Sequence, residues 1–202
     1  MLNRLVAENR VAAGERDVIG QLILSEDFSI SPSGFTSVAG VWTVSAGALT
    51  SVSGLNNDWA GRMYVTDSES FSDFDMTASV QKANINQQIV FRSGVTPGSG
   101  YGVQLRGSDT FRIERWGAAN LGEVTNKTFV ENTWYSVRIS CVGTDLKAKV
   151  WVRGQDQPSR WDVEVVNAQH ASGRIGFSAE GATTEASFDD LVIYTAATRY
   201  AA

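Results

Sequence analysis

Residues 172–194 read Ser-Gly-Arg-Ile-Gly-Phe-Ser-Ala-Glu-Gly-Ala-Thr-Thr-Glu-Ala-Ser-Phe-Asp-Asp-Leu-Val-Ile-Tyr. Two apolar runs flank a polar Gly/Thr/Glu stretch, and the second run opens on the pair Asp189-Asp190. That pattern predicts a closing β-hairpin. Working back from it, strand signals recur at short intervals: Trp161–Val165, Asp145–Val152, Thr133–Ser140, Phe111–Trp116, Tyr101–Arg106, Ile89–Arg92, Phe74–Val80 and Gly61–Val65. Nearer the start, Val41–Ser45 meets Ala48–Val52 across Ala46-Gly47, where the glycine admits the positive φ of a tight turn. About twelve strands are counted, enough for two packed sheets.

The chain has 202 residues, which fits one domain. Only 19% are charged, while six Trp and nine Phe supply large apolar side chains for a core. The single cysteine, Cys141, has no intrachain partner and shares a strand face with Tyr135, Val137 and Ile139, so it is expected to be a buried structural thiol. The single histidine, His170, is expected in a solvated loop. A net charge of −5 argues against nucleic acid as a partner, because phosphate binding needs a basic patch.

Residues 1–24 contain no aromatics and interleave charges with Leu, Val and Ala, with Gly14 and Gly20 interrupting the spacing. They are expected to form a short arm or helix that anchors the domain to other copies of itself or to a larger assembly. The plainer reading is a frayed terminus or linker. Residues 25–202 are assigned to the sandwich. The charged start does not suit a secretory signal, and no apolar run is long enough to span a membrane.

Several segments in order carry a family likeness: Glu26-Asp-Phe28, Gly40-Val-Trp-Thr-Val44, Gly47-Ala-Leu49, Thr133-Trp-Tyr-Ser-Val-Arg138, Gly143 to Trp151, Pro158, Trp161, Gly173-Arg-Ile-Gly-Phe177 and Phe188 to Tyr194. Over residues 24–195 the chain resembles the concanavalin A-like lectin/glucanase jelly rolls, laminin G-like domains among them. The resemblance implies an all-β fold, a two-sheet antiparallel jelly-roll sandwich, with one curved sheet whose concave face binds glycans in many members. Those members include lectins, glycan-binding modules, hydrolases and adhesion domains, so fold alone does not decide function.

Catalytic chemistry finds little purchase in the sequence. The laminarinase-like branch of this fold carries Glu-x-Asp-x-(x)-Glu on one strand, and no such strand is present; glycosidases need a carboxyl pair. Glu69, Asp73 and Asp75 stand among small residues, in what reads as a loop leading into a strand. There is no phosphate loop, no nucleophile elbow and no Cys/His metal spacing. Asp189 and Asp190, with Glu26 or Asp27, fall short of a calcium shell. The pair is read instead as bonding neighbouring backbone. No catalytic residue, metal or cofactor is assigned, and the chain is expected not to be an enzyme.

Alternation gives the sharpest inference. Ile89/Phe91, Tyr101/Val103/Leu105 and Phe111/Ile113 form a core face, which leaves Arg92, Gln104, Arg106, Arg112, Glu114 and Trp116 on the other. An aromatic ring among planar hydrogen-bonding groups suits a sugar. Arg92, Gln104, Arg106, Glu114 and Trp116 are therefore the candidate ligand residues, and Trp59 with Tyr64, around a polar loop, forms a second candidate. The competing reading is an ordinary solvated outer face with weak ion pairs. Trp42, Trp134 and Trp151 are assigned to the core.

The sequence predicts a non-catalytic structural or adhesion module of a larger assembly. By analogy this is an exposed phage virion protein of head or tail, found in the virion or outside the cell after lysis. The alternative is a stand-alone, lectin-like carbohydrate-binding module, and a glycoside hydrolase is a third reading.

Overall fold

The computed structural model describes residues 20–32, 34–52, 61–65, 70–83, 85–94, 99–106, 109–179 and 185–196. Fifteen strands and no helix occur among them: β1 (Leu22–Glu26), β2 (Phe35–Ala39), β3 (Val41–Ser45), β4 (Ala48–Val52), β5 (Gly61–Val65), β6 (Phe74–Gln81), β7 (Gln87–Ser93) and β8 (Tyr101–Leu105). They continue with β9 (Phe111–Arg115), β10 (Ala119–Val124), β11 (Trp134–Val142), β12 (Asp145–Val152), β13 (Val163–Val166), β14 (Arg174–Ala179) and β15 (Ala186–Thr195).

Two antiparallel sheets form a sandwich. One runs β13-β12-β11-β6-β15-β4-β3, with β1 also on β15; the other runs β10-β9-β8-β7-β14-β5-β2. Strand alternation aims one side of each sheet inward. Phe74, Met76 and Val80 of β6 thus meet Ile89 and Phe91 of β7 and Val103 and Leu105 of β8 in a common core. The β3–β4 hairpin closes as expected, with Ala46 at φ 52° and Gly47 at φ 77°.

The closing hairpin does not form. β14 pairs with β7 and β5 in the seven-stranded sheet, and β15 pairs with β6, β4 and β1 in the other. The two runs pack face to face: the rings of Phe177 and Phe188 stack across the core with centroids 4.5 Å apart. Both strands have an apolar inner set, Ile175/Phe177/Ala179 and Phe188/Leu191/Ile193, and each set is fully used by facing the opposite sheet.

Trp42 packs against Phe188 in the core, but Trp134 and Trp151 do not join it. On β11 the inward positions are Tyr135, Val137, Ile139 and Cys141, so Trp134 falls on the outer side, where its ring lies 5.2 Å from the Arg153 guanidinium carbon. On β12 the inward positions Leu146, Ala148 and Val150 likewise turn Trp151 outward. Residues 1–19 of the expected arm lie outside the described residues, while Leu22–Leu24 belong to β1.

Candidate functional site

The outer face of the seven-stranded sheet is built from two rows of residues that lie in register across five strands. One row runs Arg112 (β9), Gln104 (β8), Gln88 (β7), Ser178 (β14) and Arg62 (β5). Beside it run Glu114, Gly102, Val90, Gly176 and Tyr64 on the same five strands. With strands spaced about 4.8 Å apart, each row extends about 19 Å from β9 to β5. The first row is polar along its whole length, and the second is a low apolar lane with a carboxylate at one end.

The glycines keep that lane low. A Cβ on Gly102 would stand 2.7 Å from the Gln88 Oε1, and one on Gly176 would stand 2.2 Å from the Met63 carbonyl oxygen. Over them Trp116, Val90 and Tyr64 gather into an apolar cluster separate from the main core. Trp116 is fully buried, although the sequence suggested an exposed ring; its backbone N–H donates to the Gly100 carbonyl at 3.0 Å and fixes it just beyond β9.

Burial on this side is the opposite of a solvated outer face. Gln88 and Gln104 are 1% exposed, Glu114 2% and Ser178 fully buried. Glu114 is well held: its Oε1 accepts from Gln88 Nε2 at 2.6 Å and from the Gly117 backbone N–H at 3.1 Å, and its Oε2 pairs with Arg112 Nη2. Four other polar atoms of the row have no partner among the described residues. Gln88 Oε1, Gln104 Oε1, Ser178 Oγ and Arg112 Nε are buried with no hydrogen-bond partner. Native proteins leave few such atoms, because each costs about 1–3 kcal/mol of desolvation. Four of them fall in this one row among the described residues.

The electrostatics follow from the same burial. Loss of water lowers the Arg112 pKa; Glu114 opposes that shift and the neighbouring Arg106 charge adds to it. Burial raises the Tyr64 hydroxyl, against the pull of Ser93, Arg62 and Arg174.

Of the residues singled out from sequence, Gln104, Glu114 and Trp116 share this face, and Arg106 extends it just past β8. Arg92 lies elsewhere. It sits at a bulge with φ 44°, and its guanidinium donates to the carbonyls of Ser72 at 2.7 Å, Gly143 at 2.7 Å and His170 at 3.2 Å, and to Asp73 Oδ1 at 3.0 Å. Gly143 belongs to the β11–β12 turn, so Arg92 clasps the two sheets together at one end of the sandwich. Trp59 lies outside the described residues.

Gln88, Ser178, Gly102 and Gly176 were missed, and Tyr64, taken with Trp59 as a second and separate candidate, lies on this same face. The signal was present in the alternation Gln88/Val90 against Ile89/Phe91 and in Gly176/Ser178 against Ile175/Phe177. His170 is not a free loop residue either: its ring meets Tyr101 edge-on at 5.2 Å and its Nε2 is buried. Burial, then the Arg115 charge, lowers its pKa.

The acidic pair Asp189-Asp190 is tied down by the chain. Both carboxylates bond Arg153 Nη2, at 2.9 Å and 2.5 Å, and the Asp190 backbone N–H donates to Asp189 Oδ1 at 2.8 Å. Asp75 is held by Arg138 through two bonds of 2.8 Å and 2.9 Å. No metal-holding cluster of acidic, Cys or His residues occurs among the described residues.

Residues 29–194 match the model of a family described as the 3-keto-alpha-glucoside-1,2-lyase-like domain. The chain belongs to this family. That match corrects the expectation that the chain is not an enzyme, since the family is described by a lyase activity. Similar solved structures share the fold of this lyase-like domain. The carbohydrate-binding module CBM66 from Bacillus subtilis is 18% identical with TM-score 0.65, covering 80% of this chain and 96% of that one. The exoplasmic/lumenal domain of VIP36, in a form bound to Ca2+ and Man3GlcNAc, is 9% identical with TM-score 0.64, covering 90% and 92%. A β-glucanase from Bacillus licheniformis is 12% identical with TM-score 0.59, covering 87% and 98%. Among curated proteins nothing matches the sequence.

Proposed function

We propose that the outer face of the seven-stranded sheet binds a saccharide. The observation that carries this is the buried row with four unsatisfied polar atoms, Arg112 Nε, Gln104 Oε1, Gln88 Oε1 and Ser178 Oγ, beside the apolar lane of Val90, Trp116 and Tyr64. Sugars present hydroxyls that both donate and accept, together with a C–H surface that needs an apolar neighbour. Two amide oxygens accept, an arginine N–H donates, and a serine hydroxyl does either. The family description and the sugar-linked similar structures support this lectin-like reading over the virion setting expected from sequence.

The test is calorimetric titration of a panel of neutral and acidic oligosaccharides into the wild type, Gln104→Ala and Ser178→Ala. At least one sugar should bind, and each variant should weaken it about tenfold or more, as a lost hydrogen bond in a dry site does. Unchanged affinity in both variants rejects this face.

A second reading follows from the family description together with Glu114. In a 3-keto-α-glucoside the C3 carbonyl acidifies the proton on C2. A base that takes that proton lets the C1–C2 double bond form while the C1–O bond breaks and the departing oxygen gains a proton. Glu114 is the buried carboxylate on this face among the described residues, and it is the group we assign to the C2 proton. Methyl 3-keto-α-glucoside incubated with the protein should develop the ultraviolet absorbance of a conjugated enone, and Glu114→Gln should abolish it. If Glu114→Gln retains full activity, another base is at work.

A further inference from the structure

One end of the polar row holds two arginines against one buried carboxylate. Arg112 gives its Nη2 to Glu114 and keeps Nε buried and unsatisfied. Arg106, half-buried just past β8, bonds its backbone N–H to the Thr110 carbonyl at 3.0 Å, so it follows the Gln104–Arg112 register by two residues on β8 and brings a second positive charge to the same face as a diagonal neighbour of Arg112. Its side chain has no hydrogen-bond or ion-pair partner among the described residues. Glu123, in register with Arg112 on β10, is exposed and contributes only across solvent. Two like charges side by side in a partly dry site cost free energy unless an anion arrives between them. The chain as a whole carries −5, so no general excess of basic residues explains this pair.

Resting on the saccharide-binding reading above, we infer that the sugar bound here carries an acidic group, a carboxylate or a sulfate ester, which docks between Arg106 and Arg112 at the β8–β9 end of the row. Guanidinium N–H groups fit either oxyanion, and charge-assisted bonds of this kind are about twice as strong as neutral ones. Gln104, Gln88 and Ser178 then read the hydroxyls of the units that follow toward β5.

The experiment compares trigalacturonate, its trimethyl ester and a sulfated galactose trisaccharide with neutral galactotriose, titrated into the wild type and Arg106→Gln. An acidic sugar should bind at least about tenfold more tightly than its neutral counterpart, and Arg106→Gln should bring the two affinities to within about twofold of each other. A preference for trigalacturonate over the sulfated sugar identifies a carboxylate, and the reverse identifies a sulfate ester. Neutral and esterified sugars bound as tightly as the acidic ones overturn the inference while the saccharide reading stands. Failure of every sugar to bind overturns both. A melting temperature for Arg106→Gln within about 2 °C of wild type shows that a lost preference does not come from unfolding.

Discussion

Replacing Gln104 with Met should make the protein more stable and less able to bind. Gln104 is 1% exposed, its Oε1 has no partner, and it stands in register between Arg112 and Gln88. Methionine has nearly the same length and volume but no polar group to desolvate. Leaving a buried acceptor unsatisfied costs about 1–3 kcal/mol, and removing that acceptor without opening a cavity recovers part of it. A gain of about 1–2 kcal/mol corresponds to a melting temperature higher by about 2–8 °C in a chain of this size. Differential scanning calorimetry on both proteins gives the shift, and titration with any sugar the wild type binds gives the loss. Destabilisation by more than about 1 kcal/mol would refute the reasoning, because it would mean that the amide holds the sheet together rather than waiting for a ligand.

Three other substitutions or conditions separate architecture from site. Arg92→Met should lower the melting temperature by about 6–16 °C, the equivalent of about 3–4 kcal/mol, since three backbone carbonyls and Asp73 lose their donor; chemical and thermal denaturation measure it, and sugar affinity should stay within about twofold. Gly176→Ala should fail to fold or lose most of its stability, because the new Cβ meets the Met63 backbone, while Gly102→Ala meets only the end of Gln88 and should cost binding more than stability. Soluble yield and calorimetric titration compare the two.

The Cys141 thiol is pushed up to about 12 by burial, so a maleimide at pH 8 should label it only after denaturation. Its folded pKa lies above the unfolded one, so the folded state binds the extra proton between them. The thiol's contribution to stability is full below about pH 8.5 and falls from there toward about pH 12. Urea midpoints of wild type and Cys141→Ala across pH 7–10 should therefore converge as pH rises.

Much of the architecture was legible because inward positions repeat with period two. Val137, Ile139 and Cys141 on β11, and Tyr101, Val103 and Leu105 on β8, announce both strand and face. Pairing partners were not legible in the same way. β14 and β15 read as neighbours because a turn-rich stretch separates them, yet alternation says only which side of a strand is apolar, and two inward faces can satisfy each other across a core as well as along a sheet. The site was half legible. Gln104 and Glu114 follow from alternation, but Arg92 departs from it because a bulge with positive φ turns its side chain to the end of the sandwich. Trp134 and Trp151 were misplaced for another reason: a large aromatic was assumed to be interior, although the parity of Val137 and Val150 already put both rings outside.

β1 lies along the C-terminal half of β15, with Leu22 opposite Tyr194, and Gln21 and Thr195 exchange bonds: the Thr195 N–H reaches the Gln21 carbonyl at 2.9 Å, and the Gln21 N–H reaches the Thr195 hydroxyl at 2.9 Å. Gly20 sits so close to Thr195 that a methyl group there would overlap its carbonyl. Entry to and exit from the sandwich are thus a single doorway. The unit can be grafted into a surface loop of a host protein without a bridging linker, and a permutant that joins residue 20 to residue 196 and opens the chain elsewhere should keep both sheets.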